Sequence, residues 1–95
     1  MRNYEIGLVL HPDLNTETQT EMIEKVKGWI AEAGGTVSKI DLWGKRRMAY
    51  AIRKQHDGVY AFLYAEMPSP APAILERNLR LTETVMRFSI VRPEA

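Results

Sequence analysis

Three consecutive cations between two aromatics are the residues of this chain best suited to do chemistry: Trp43-Gly44-Lys45-Arg46-Arg47-Met48-Ala49-Tyr50. The run leads into Met48, Tyr50 and Ile52, whose spacing of two is the period of a β-strand with one buried face. Cations fixed on a strand make a poor core and a good contact for a polyanion or an acidic partner. Trp43 beside Arg46 and Arg47 favours that use, since Trp and Arg are enriched where interfaces concentrate binding energy. Charge on an edge strand also keeps other chains from pairing with it. The two roles are compatible, because an edge closed to the wrong partner can fit the right one.

The net charge of +1 hides an asymmetry. Residues 13–36 hold Asp13, Glu17, Glu21, Glu24 and Glu32 against Lys25 and Lys27, a balance of −3. Residues 37–58 hold Lys39, Lys45, Arg46, Arg47, Arg53 and Lys54 against Asp41 and Asp57, a balance of +4. Such a split suggests binding through one basic side.

Enzymatic readings fare badly. With no cysteine in 95 residues, disulfides, thiolate metal sites and cysteine catalysis are excluded. His11 and His56 fall in different loops, without the companions a zinc site needs. Gly34-Gly35 closes a helix instead of opening one over a phosphate. No catalytic residue, metal or cofactor is expected, and no small-molecule substrate. A 45% apolar, 26% charged composition is that of one globular domain, residues 1–95. No apolar run of about eighteen residues could span a membrane. Arg2 and Glu5 interrupt the early apolar stretch, which argues against a signal peptide and for a cytoplasmic setting.

The elements that must position these groups follow from pattern. Residues 2–10 alternate, with Tyr4, Ile6, Leu8 and Leu10 on one face and Asn3, Glu5, Gly7 and Val9 on the other. Thr16 with Gln19 three residues on fits a capping box for a helix. Its apolar stripe is Met22, Ile23, Val26, Trp29, Ile30 and Ala33, with Glu21 and Lys25 paired outside. A long strand follows over residues 36–53, with a bulge expected before Gly44 because Val37 is out of phase with Ile40 and Leu42. Gln55-His56-Asp57-Gly58 reads as a hairpin turn with Gly58 at positive φ. Residues 59–67 are apolar on both faces, so whether Tyr60, Phe62 and Tyr64 face the core or the open sheet is undecided by sequence. Pro70 and Pro72 can open a second helix containing Ile74, Leu75 and Leu79. A last strand, residues 85–92, turns Met86, Phe88 and Ile90 inward. The β-α-β-β-α-β order predicts a ferredoxin-like α+β fold: two helices on one face of a four-stranded antiparallel sheet, the first strand beside the third, the second and fourth at the edges.

The opening Met1-Arg2-Asn3-Tyr4-Glu5-Ile6, the Gly34-Gly35 break and the run from Gly44 to Tyr50 together resemble bacterial small-subunit ribosomal protein six, over almost the whole chain. The resemblance implies the same fold and a non-enzymatic, RNA-binding structural protein. It further implies that the chain joins the small subunit with ribosomal protein eighteen, the pair binding the central domain of small-subunit ribosomal RNA. Asp41, Leu42, Arg46 and Arg47, with Trp43 beside them, are then expected to face the protein partner. Arg2, Tyr4, Arg87 and Arg92 are the RNA candidates, Tyr4 having a phase that equally suits the core. Many family members carry a longer acidic C-terminal tail, whereas this sequence stops at Pro93-Glu94-Ala95. The alternative is a free-standing single-stranded-RNA binder that stacks bases on sheet aromatics. Gly58-Val59-Tyr60-Ala61-Phe62-Leu63-Tyr64 partly echoes the third strand of RNA-recognition-motif domains, with an extra valine and no leading cation.

Overall fold

The computed structural model describes residues 1–93, leaving Glu94 and Ala95 of the tail outside. Six elements follow in order: β1 (Arg2–Leu10), α1 (Thr16–Glu32), β2 (Thr36–Ile52), β3 (Gln55–Met67), α2 (Ala71–Arg80) and β4 (Val85–Val91). The strands lie in the order β2-β3-β1-β4, with neighbours antiparallel. This is the expected ferredoxin-like arrangement, with β2 and β4 at the edges.

The even-numbered face of β1 explains the core. Ile6, Leu8 and Leu10 join Val59, Ala61, Leu63, Ala65 and Met67 of β3. Met22, Ile23, Val26 and Ile30 of α1 and Leu75 and Leu79 of α2 cover them. Burying one such side chain contributes about 1.5–3 kcal/mol, and this shared apolar layer is what holds both helices on one face. The register settles the phase of β3. Tyr60, Phe62 and Tyr64 stand opposite Val9, Gly7 and Glu5, on the face without helices.

Helix boundaries have local causes. Asn15, rather than Thr16, caps α1: its Oδ1 accepts from the Thr18 backbone N–H at 2.8 Å. Gln19 Nε2 reaches back to donate to the Leu14 carbonyl instead of closing a capping box. Asn15→Ala should therefore lower stability by about 1 kcal/mol, readable as a shift in urea midpoint, while Thr16→Ala should cost less. At the other end Gly34 takes φ 89, and the N–H groups of Gly34 and Gly35 donate to the carbonyls of Ala31 and Ile30. That left-handed exit caps the last turn. The expected Glu21–Lys25 pair is absent from the ion pairs of the described residues; Lys25 Nζ lies 5.9 Å from the Trp29 ring centre instead.

Two further expectations are corrected. The turn between β2 and β3 is Arg53-Lys54, with φ 52 and 65, and residues 55–58 belong to β3. A two-residue loop with both φ positive matches the twist of paired strands, which a turn over 55–58 does not need to supply. Gly58 is required for space rather than for a turn: a Cβ there would stand 2.5 Å from Val9 Cγ1. Met86 does not follow Phe88 and Ile90 into the main core. The register shift at Val9/Leu10 gives that place to Val85, and Met86 Cε converges with Met48 Sδ over Gly58. No helix among the described residues is long and apolar enough to cross a membrane.

Candidate functional site

The free edge of β2 carries the chemistry. Along its inner edge Thr36–Arg47 pairs with β3, broken by register shifts between Val37 and Lys39 and between Leu42 and Gly44. Both bulges precede Gly44, as the phase change at Val37 predicted. Gly44 takes φ 79, open to glycine at little cost, and Trp43 is the residue left out of the ladder. Freed from pairing, Trp43 packs on Phe62 with ring centres 4.8 Å apart, yet stays 53% exposed.

Around Trp43 the edge is mixed in character. Ile40 and Leu42 pair with Leu63 and Ala61 on the helix side, but the helices do not reach over the edge strand and leave both exposed. Asp41 is half-buried, 3.7 Å from Lys39 Nζ, and Lys39 in turn lies 5.6 Å from the Tyr64 ring centre. Arg46 and Arg47 stand opposite Gly58 and Asp57, exposed, and enter none of the ion pairs found among the described residues. Asp41, Leu42, Trp43, Arg46 and Arg47 thus share one continuous strand edge.

Beyond Arg47 the ladder is interrupted until Ile52 meets Gln55. This distal arm leans over the open sheet face. Arg53 donates to the carbonyls of Glu83 (2.8 Å) and Val85 (3.4 Å). Arg87 donates to the Tyr50 hydroxyl, and its guanidinium lies 5.7 Å from the same ring's centre. Below the arm Met48 is buried, but apart from the main core. The expected alternation of Met48, Tyr50 and Ile52 on one buried face therefore fails at Tyr50, which is 59% exposed. Sequence reasoning missed Tyr50 and Arg53, because neither residue type nor spacing signals a contact with β4.

The RNA candidates separate. Arg2, opposite Met67, and Arg92, just past the Glu5–Val91 pair, are exposed at one end of the sheet. Arg87, opposite Val9, lies at the other end against the arm. Tyr4 is 8% exposed and packs in the core, so its ring is turned to the helices and not to the open face. The sheet aromatics do face outward, but Trp43 packs on Phe62 and Lys39 lies over Tyr64, so the three rings form no single continuous platform. His11 Nδ1 accepts from the Asp13 N–H at 3.2 Å, and no group of metal-binding residues occurs among the described residues.

The family pattern of Ribosomal protein S6 matches residues 3–92. Small ribosomal subunit protein bS6 of Clostridium novyi is 44% identical over 94 residues, 99% of each chain. Its counterpart from Salinispora arenicola is 43% identical over 99% of this chain and 98% of its own. The crystal structure of 30S ribosomal protein S6 from Thermotoga maritima superposes with a TM-score of 0.91 at 29% identity, covering 96% of this chain and 86% of that one. Sequence and backbone agree over the same residues that build the sheet and its basic edge, and the chain belongs to the ribosomal protein S6 family.

Proposed function

We propose that this chain is a structural constituent of the small ribosomal subunit in the bacterial cytoplasm, and that it binds the central domain of small-subunit ribosomal RNA together with ribosomal protein eighteen. Family membership supports the ribosomal, non-enzymatic part of this reading. The observation that carries the partner is the β2 edge, where exposed Leu42 and Trp43 stand beside Arg46 and Arg47 on one strand. Apolar anchors ringed by charge are what a specific protein interface needs. Arg2 and Arg92, at one end of the sheet, are the RNA-side residues, with Arg87 a separate contact and Tyr4 packed in the core.

A net charge of +1 leaves few cations to neutralise phosphates, so the chain alone should bind the RNA fragment weakly, and less still as salt rises. With ribosomal protein eighteen present, binding should tighten strongly. Arg46→Ala combined with Arg47→Ala should abolish that gain while leaving the thermal midpoint unchanged, because both side chains are exposed. Filter binding with and without the partner reads both effects. Nanomolar binding by the chain alone, or full assembly by the double variant, contradicts the proposal.

A further inference from the structure

The distal arm and the open sheet face enclose a cleft of about 360 Å³ that the β2 edge does not account for. Its floor is Gly7, the one position in the middle of β1 with no side chain, between Ser89 and Phe62. Tyr60 and Phe62 line it from β3, Tyr50 from the arm, and Arg87 and Ser89 from β4. We propose that this cleft takes a single unstacked base of the ribosomal RNA, an inference that rests on the RNA-binding reading above and adds to it a site.

Size, lining and charge agree on that occupant. The volume is at the lower end of pockets that hold small ligands, enough for one nucleotide and not for a helix or a strand. Aromatic walls suit any base, because every base has a π-face. Arg87 and Ser89 supply a cation and a hydroxyl for a phosphate or a base edge. Among the residues that line the cleft Arg87 is a cation and none is a carboxylate. An uncharged metabolite has no use for that cation, whereas a nucleotide within a polyanionic strand does.

The cleft is also held ready. Arg53 fixes the arm to the Glu83 and Val85 carbonyls, the Arg87 guanidinium lies over the Tyr50 ring, and Met48 seats the arm's base against Met86 over Gly58. Little ordering remains for the ligand to drive, which favours binding of a single base. Because Tyr50 is exposed, its replacement leaves the fold intact, and the site can be tested without unfolding the chain.

The test is a titration of the isotope-labelled full chain with a short single-stranded RNA, with the same sugar–phosphate oligomer lacking its bases, and with adenosine monophosphate. The RNA should shift the amide resonances of Gly7, Tyr60 and Ser89. Tyr50→Leu should weaken it about tenfold, and Tyr50→Phe should restore it, since the ring and not the hydroxyl does the stacking. Equal binding by the baseless oligomer, shifts confined to Arg46 and Arg47, or an unaffected Tyr50→Leu variant would each overturn the cleft. Tighter binding of the mononucleotide than of the RNA would overturn RNA as its occupant. Assembly of the wild-type chain with ribosomal protein eighteen and the RNA fragment, measured in parallel, separates the two failures. Normal assembly with a silent cleft sinks this inference alone, and absent assembly sinks the reading beneath it.

Discussion

Leu63→Ala should destabilise the chain by about 2–5 kcal/mol, and Phe62→Ala, one residue away, by less than half of the 3–5 kcal/mol of a fully buried phenylalanine. The reason is the phase of β3. Leu63 is fully buried between Ile6 of β1 and the helices, so truncation leaves a cavity that the packed layer cannot close. Phe62 is half-buried on the opposite face, between Gly7 and the exposed edge residue Trp43, where solvent can fill what is lost. A total stability of about 5–15 kcal/mol is typical of small domains, so Leu63→Ala removes a large share of it. Urea unfolding of both variants gives the ranking. A larger loss for Phe62→Ala would mean that the open face, and not the helix side, is the main core.

Arg46→Met combined with Arg47→Val should promote self-association of the chain. The substitution removes two exposed charges from an edge whose backbone N–H and C=O groups are free to pair. It leaves residues 46–52 uncharged and β-prone on a strand that already exposes Ile40 and Leu42. Native far-UV circular dichroism with oligomers in light scattering is the expected result. A strictly monomeric variant at high concentration would show that the outer side of β2 is not available for pairing. The same two residues are predicted to be needed for partner assembly, so one edge would serve both to exclude copies and to admit the partner.

The sheet order, both helices and the bulges of β2 were legible because each has a short-range signal. Alternation in β1 fixes its buried face; Val37 out of step with Ile40 requires an extra residue; Gly34-Gly35 supplies the left-handed exit. Tyr4 was legible only as an ambiguity between core and RNA; opposite Ala65 its side chain joins the buried layer. The hairpin turn was misplaced for a physical reason. Gly58 looks like a turn residue, but here the missing side chain makes room for Val9, while the positive φ angles fall on Arg53 and Lys54, which no propensity favours. The arm's contacts with β4 had no signal at all. Tyr50 and Arg53 meet Arg87, Glu83 and Val85 through long-range geometry that local pattern does not encode.

The position of β1 has a kinetic meaning. It is the first strand to be made, yet it is flanked by β3 and β4, with Glu5 facing Tyr64 on one side and Val91 on the other. Its ladder cannot be completed until the last residues of β4 exist, and closing such distant ends carries a loop entropy that local contacts do not offset in advance. A growing chain can form α1 and the β2–β3 hairpin early, but the domain must wait for its final strand. Folding of the domain is thereby tied to the synthesis of β4, and a chain cut short before β4 keeps one side of its central strand open to whatever strand comes near.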